Sequence, residues 1–339
     1  MSHANRQSPT LPASPVTASI DLSAPGITHG YLQLPHSSNE SAWGSILIPL
    51  TVVNHGRGPT ALLTGANHGD EYEGPIALHK LANSLQATEI QGRIIIIPAM
   101  NYPAFMAGSR CSPIDQGNMN RVFPGRPDGT VTEKIADYFQ RYLLSEADYV
   151  LDLHAGGKTL EFLPFAAAHI LADAAQQTRC EAAMRAFAAP YQLLLLEMDA
   201  TGMYDTAAEA AGKVFVSTEL GGGGSASAAT VNIAERGIRN FLIHAGILNQ
   251  RPQISESVTL QMPDANCYTR SKQSGLLELC VDLGDPVREG QTIARIYDPA
   301  HTGIAATEYH AGLDGLLTGR HFPGLIHSGD CIAVVAEPV

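Results

Sequence analysis

Lysine is scarce in this chain of 339 residues: it supplies five of the 21 basic side chains, against 33 acidic ones, and the formal net charge is −12. A nucleic-acid or anionic-membrane partner requires a basic face to neutralise phosphates, so this balance argues against both and favours a small molecule. Cysteine is sparse and unpatterned. The five residues Cys111, Cys180, Cys267, Cys280 and Cys331 contain no Cys-x-x-Cys pair, which removes a zinc knuckle and a disulfide framework and leads us to expect reduced thiols in a cytoplasmic protein. No apolar run approaches the roughly 20 residues that span a bilayer. Residues 1–25, rich in Ser, Pro, Thr and Ala, lack the basic start and apolar centre of a secretory signal and read as a flexible tail. Neither Gly-x-Gly-x-x-Gly nor Gly-x-x-x-x-Gly-Lys-Ser/Thr occurs, so no phosphate cradle is expected. Gly223-Gly-Ser-Ala-Ser227 misses Gly-x-Ser-x-Gly at its last position and Cys111 has no identifiable base, which leaves a nucleophilic hydrolase without support.

What is present is a sizeable core: 45% of the residues are hydrophobic and 16% charged, the balance of a globular enzyme. Between residues 30 and 250, short apolar runs alternate with helical periodicities, the pattern of an α/β fold whose mixed or parallel sheet is covered by helices. Strands are expected at Trp43–Val53, Thr60–Thr64, Arg93–Pro98, Tyr149–Leu153, Gln192–Glu197 and Val214–Glu219, and helices at Gly74–Leu85, Val131–Ser145, Ala174–Ala188 and Ala228–Ala245. The second helix is the best marked: Val131, Ile135, Phe139 and Tyr142 recur on one face, and Thr130 with Glu133 forms a capping box. After Asn249-Gln-Arg-Pro-Gln253 the character changes to short strands punctuated by glycine, giving a domain at 26–250 and a small all-β domain at 255–339. Inside the latter, Ser274-Gly-Leu-Leu277 is echoed by Asp314-Gly-Leu-Leu317 and Gly284 by Gly324. This quasi-repeat resembles the barrel-sandwich of biotinyl and lipoyl carriers, but Lys272 lies outside the segment connecting the halves. A swinging-arm role is therefore set aside, and a cap or a contact between copies of the chain is expected.

The most informative stretch is Thr64-Gly-Ala-Asn-His-Gly-Asp-Glu-Tyr-Glu-Gly-Pro75, where His68 and Glu71 sit three residues apart in a glycine-flanked loop after an apolar run. His154, in Asp148-Tyr-Val-Leu-Asp-Leu-His-Ala-Gly-Gly157, ends a second such run. Two imidazoles and a carboxylate make up a three-ligand zinc site with one coordination position left for water. Glu219, ending Lys213-Val-Phe-Val-Ser-Thr-Glu219 before four of the next five residues are glycine, is placed to take a proton from water and hand it to a leaving nitrogen. Ligands in such sheets bind beyond the carboxyl ends of the strands, where all these residues fall.

Asp152, two residues before His154, would share its face of a strand and could hold the imidazole through the nitrogen turned away from the metal. The Gly- and Pro-rich segment 101–125 has the length of a site-forming loop. Within it, Arg121 beside Asn120 suits a two-point clamp on a carboxylate. His79 reads as a packing or surface histidine, and His169, His244, His310, His321 and His327 show no ligand spacing.

Taken together, His68-Gly-Asp-Glu71, Asp152-Leu-His154, Asn120-Arg121 with Phe123-Pro-Gly125, and Glu219 resemble the succinylglutamate desuccinylase and aspartoacylase family, relatives of zinc carboxypeptidases. The resemblance covers residues 30 to 250 in order. It implies a zinc-carboxypeptidase-like sheet, one zinc per chain held by His68, Glu71 and His154, and hydrolysis of an N-acyl amino acid. Glu219 would act as the catalytic carboxylate, Arg110 would polarise the scissile carbonyl, and Asn120 and Arg121 would bind the substrate carboxylate. A substrate ammonium would call for an acidic partner, for which Asp115, Glu161 and Asp199 are candidates. The competing reading from another class is a metal- or ligand-binding protein without activity.

Overall fold

The computed structural model describes residues 12–195 and 200–339. The chain enters through β1 (Thr17–Ala18), β2 (Gly26–Pro35) and β3 (Ser45–His55), followed by β4 (Thr60–Gly65), α1 (Glu73–Ser84) and β5 (Gly92–Ile97). Next come α2 (Tyr102–Ala107), α3 (Val131–Tyr138), β6 (Tyr149–His154), β7 (Leu160–Phe162), β8 (Phe165–His169) and α4 (Ala174–Phe187). Then follow β9 (Tyr191–Leu195), α5 (Tyr204–Ala210), β10 (Val214–Glu219), α6 (Ala228–His244) and β11 (Val258–Gln261). The large sheet runs β1-β2-β3-β5-β4-β6-β10-β8-β9-β11 before passing into the C-terminal strands. Its centre, β5, β4, β6 and β10, is parallel, while β3 and β8 flank it antiparallel.

Alternation along these central strands divides the core into two layers, as the period-two geometry of a strand requires. Ala61, Leu63, Ile94, Ile96, Leu151 and Leu153 pack with residues of α1, α4 and α6, whereas Leu62, Ile95, Ile97 and Val150 pack with residues of α3 and α5. Both faces are covered, so these strands read as nearly unbroken apolar runs.

The C-terminal part comprises β12 (Tyr268–Arg270), β13 (Gly275–Leu279), β14 (Pro286–Val287), β15 (Thr292–Tyr297), β16 (Thr307–His310), β17 (Gly315–His321), β18 (Leu325–Ile326) and β19 (Cys331–Pro338). Four of them form a separate antiparallel sheet, β16-β15-β13-β18, facing the extension of the large sheet through β19 and β17. The two Gly-Leu-Leu segments noted in the sequence open β13 and β17, one in each sheet. This part is stitched to the rest: β11 pairs with both β9 and β19, and β17 pairs with β7.

Several expectations shift. The strand expected from Trp43 starts at Ser45, and Trp43 is fully exposed. The N-terminal segment contributes β1, paired with β2, and buries Val16. The expected strand at 192–197 begins at Tyr191, and its last two residues lie outside the described ones. The helix expected over 131–145 keeps its capping box, with Glu133 N–H donating to Thr130 Oγ1 and Thr130 N–H to Glu133 Oε2. After Tyr138 it passes into a π turn at Phe139–Leu143. The wider turn rotates the apolar face, so Leu143 is buried and Tyr142 is left 38% exposed, stacked on Tyr138.

Candidate active site

Three parallel strands deliver the central groups to one sheet edge. β4 ends at Gly65, in register with Leu153, and β6 ends at His154, opposite Glu219 at the end of β10. Between β4 and α1 the chain turns through Ala66, held at φ 47°, a left-handed conformation that a β-carbon disfavours. The turn is locked by Met100 N–H to Gly65 O and Asn101 N–H to Ala66 O. Beyond it, α2 packs so closely that a β-carbon on Gly69 would lie 2.0 Å from the Ala104 carbonyl carbon. Part of the segment expected as a long loop is thus a helical brace for the His68–Glu71 turn.

Within the turn, His68 Nδ1 lies 2.7 Å from Glu71 Oε1, and His154 Nδ1 lies 3.0 Å from Glu71 Oε2. The opposite nitrogen of His154, Nε2, is 2.7 Å from Asp152 Oδ2. Asp152 in turn accepts from Asn67 Nδ2 at 3.0 Å and Thr64 Oγ1 at 2.7 Å. Asp70 accepts from Lys158 N–H, tying the turn to the loop after β6.

His68, Glu71 and His154 can bring ligand atoms within 4.8 Å of one another. Burial opposes the charge on Glu71, but the His68 and His154 imidazoles on its two oxygens hold its carboxyl well below the usual range. His68 is pushed down, chiefly by burial. Burial opposes protonation of His154 too, yet Asp152 and Glu71 together hold it well above its ordinary value. Two imidazoles converging on one carboxylate, with one ring held from behind and with His68 Nε2 buried without a partner among the described residues, fit a divalent metal site of the three-protein-ligand kind.

Glu219 is adjacent. Burial, followed by the negative charge of Glu71, pushes its carboxyl up to about 8, and Oε2 has no hydrogen-bond partner among the described residues. The glycines beyond it are pinned rather than pliable. Gly221 O accepts from Gly156 N–H and Phe162 N–H, Gly223 N–H donates to Leu160 O, and Gly224 N–H donates to Gly157 O. Gly222 sits at φ 139°, where an added β-carbon would lie 2.2 Å from Leu160 O. Only glycine fits so close an approach in that conformation. Phe322 from the C-terminal part lies over Gly223, and Arg320 pairs with Glu161 at 2.6 Å.

A cavity of about 190 Å³ opens onto these groups, lined by His68, His154, Glu219, Arg110, Asn120 and Arg121 among others. Arg110, half exposed, reaches to 3.7 Å from Glu71 Oε1. Asn120 Oδ1 accepts from Tyr204 N–H at 2.9 Å, so the amide NH2 remains its free donor group among the described residues. His68, His154, Glu219, Arg110, Asn120 and Arg121 thus line one cavity, with Glu71 and Asp152 hydrogen-bonded to the imidazoles behind it.

Of the acidic candidates for a substrate ammonium, Asp115 is engaged by Thr132 and Gly117, Glu161 by Arg320, and Asp199 lies outside the described residues. Sequence reasoning missed Asn67 and Asp70, which stand inside the His68 motif, and also Asp205, which lines the cavity with no local signal to mark it. Elsewhere, His169 pairs with Glu209, and no helix among the described residues is long and apolar enough to cross a membrane.

Comparison with known proteins gives the family and fold. The model of the succinylglutamate desuccinylase/aspartoacylase catalytic domain matches residues 57–245. The chain is 56% identical over 328 residues to the N-alpha-acetyl-L-2,4-diaminobutyric acid deacetylase of Halomonas elongata, covering 96% of each. Among solved structures, the product-bound ectoine utilization protein EutE (DoeB) from Ruegeria pomeroyi superposes with a TM-score of 0.95 at 61% identity, covering 96% of this chain and 99% of that one. A succinylglutamate desuccinylase/aspartoacylase from Rhodobacter sphaeroides gives a TM-score of 0.92 at 36% identity, covering 96% and 100%.

Proposed function

Starting from a chain that belongs to the succinylglutamate desuccinylase/aspartoacylase family of amide-cleaving deacylases, we propose that its substrate is N-alpha-acetyl-L-2,4-diaminobutyrate, released as diaminobutyrate and acetate in ectoine degradation. The carrying observation is a single cavity in which a His-Glu-His metal group, a buried proton-handling carboxylate and a guanidinium for carboxylate capture meet. The name of the Halomonas elongata relative supplies the acyl group and the amino acid, and that of the Ruegeria pomeroyi protein supplies the link to ectoine utilization. Zinc suits the donor set of His68, Glu71 and His154, and when bound it would supply a Lewis acid and lower the pKa of a coordinated water to about 7.

The protein's own groups do the rest. Arg121 and the free amide NH2 of Asn120 grip the substrate carboxylate and place the scissile amide toward Glu219. That carboxylate, its proton affinity raised by burial and by the charge of Glu71, takes a proton from the attacking water and delivers it to the departing amine nitrogen. Arg110, half exposed at the cavity mouth, faces the oxygen on which negative charge develops. Asp152, fixed by Asn67 and Thr64, holds the His154 ring.

The test is carboxylate release from a panel of N-acyl amino acids, before and after treatment with a chelator and again after zinc is restored. Preferential acetate release from N-alpha-acetyl-diaminobutyrate that vanishes and returns with zinc is expected. Equal or better turnover of acetylaspartate or succinylglutamate would overturn the substrate. Binding without turnover of any member would mark a ligand-binding protein.

A further inference from the structure

The proposed substrate carries a side-chain ammonium, and the cavity contains one acid that the chemistry above does not use. Asp205, on the first turn of α5, lines the same cavity as Arg121 and Glu219 and is 7% exposed. It is brought there by packing. A β-carbon on Gly202 would lie 2.4 Å from Arg121 O, Phe123 N–H donates to Gly202 O, and Tyr204 N–H donates to Asn120 Oδ1. The start of α5 is thus laid against the Asn120–Phe123 segment, setting an acid beside the carboxylate clamp.

We infer that Asp205 binds the side-chain ammonium of the substrate and so selects a cationic over an anionic or uncharged N-acyl amino acid. The inference rests on the reading of the site as an N-acyl amino acid deacylase. Asp205 Oδ1 accepts from the Thr206 N–H and hydroxyl. Those contacts orient the carboxylate and leave Oδ2 without a protein partner among the described residues. Of the described residues lining the cavity, the acids are Asp205 and Glu219, and the guanidinium groups are Arg110 and Arg121. With Glu219 committed to proton transfer and Arg121 to the α-carboxylate, Asp205 is the described acid that remains to meet a cation. The same carboxylate would repel the side chain of an acetylated aspartate, so one residue both attracts the right substrate and rejects the acidic ones.

The experiment compares N-alpha-acetyl-diaminobutyrate with N-acetyl-2-aminobutyrate, which keeps the carbon skeleton and lacks the ammonium. Wild type, Asp205→Asn and Asp205→Glu are each assayed with zinc bound. Asp205→Asn retains an acceptor for the Thr206 N–H, so the turn is kept while the charge is lost. The variant should raise KM for the ammonium substrate roughly tenfold or more, with a smaller change in kcat, and change kcat/KM for the uncharged analogue about twofold or less. Asp205→Glu should keep most of the preference.

An equal loss on both substrates would show a structural role and overturn the inference. So would an Asp205→Asn variant that still prefers the ammonium substrate as wild type does. If wild type itself ignores acetyl-diaminobutyrate yet deacylates another N-acyl amino acid, the substrate assignment fails first, which separates the two conclusions.

Discussion

Asp152 offers a sharp test because it joins the proposed metal ligand His154 to the fold. Its carboxylate accepts from His154 Nε2, Asn67 Nδ2 and Thr64 Oγ1, and it is buried. Asp152→Ala leaves the first two donors without an acceptor, while the Thr64 hydroxyl can still turn to Leu151 O at 3.4 Å. Each unsatisfied buried donor costs about 1–3 kcal/mol, so the metal-free variant should lose roughly 2–6 kcal/mol. That is a large share of the ~5–15 kcal/mol that holds a typical domain.

Asp152→Asn behaves differently. Its oxygen can serve His154 and Asn67 while its NH2 faces Thr64, so the shape is preserved and the negative charge behind the imidazole is removed. Loss of such a supporting carboxylate weakens metal affinity about 10–100-fold. Denaturant unfolding of chelator-treated protein measures the first effect, since bound metal would otherwise stabilise the folded state by mass action. Competition with a zinc indicator measures the second. An alanine variant within about 1 kcal/mol of wild type, or an asparagine variant that binds zinc as tightly, would refute the reasoning.

Glu219→Gln should retain zinc and stability and lose most of kcat, because the amide keeps the shape but cannot shuttle a proton; near-normal kcat in a zinc-loaded variant would place the base elsewhere. Arg121→Ala should raise KM, whereas Arg110→Ala should lower kcat, as expected of a clamp that grips ground and transition states alike and a group that faces developing charge. Arg121→Lys should rescue little, a single ammonium being unable to reproduce the planar two-point contact. Gly222→Ala should cost at least about 1–3 kcal/mol from backbone strain, since its φ is 139° and its new methyl would meet Leu160 O. Gly246→Ala, at φ 73° with nothing within 4 Å, should cost less in the same thermal unfolding series.

Much of the site was legible in the chain because its parts are local. His68 and Glu71 stand three apart, and glycine on either side marks a turn at a strand end. Asp152 and His154 stand two apart on an apolar strand, which places both side chains on one face. The capping box at Thr130 and Glu133 is likewise a contact between near neighbours, and it forms as read. The π turn after Tyr138 breaks the helical period by one residue, and no residue type there signals it. Tyr142, expected on one face with Ile135 and Phe139, is therefore left exposed where local periodicity gave way to packing around Leu143 and Leu144.

The sequence by itself determined the candidate ligand types, the central strands that end at them and the helices that cover those strands, because apolar periodicity and motif spacing act over a few residues; β2, β8, α2 and α5 were not read from it. Tertiary structure decided how the parts meet. Glu219 falls opposite His154 through the parallel register of β6 and β10. Asn67 reaches Asp152 across 85 positions, and the segment from Gly202 brings Asp205 to Arg121. These juxtapositions arise from which strands are neighbours in the sheet and how loops pack upon one another. That is a property of the whole folded chain's free energy, and no single segment carries it.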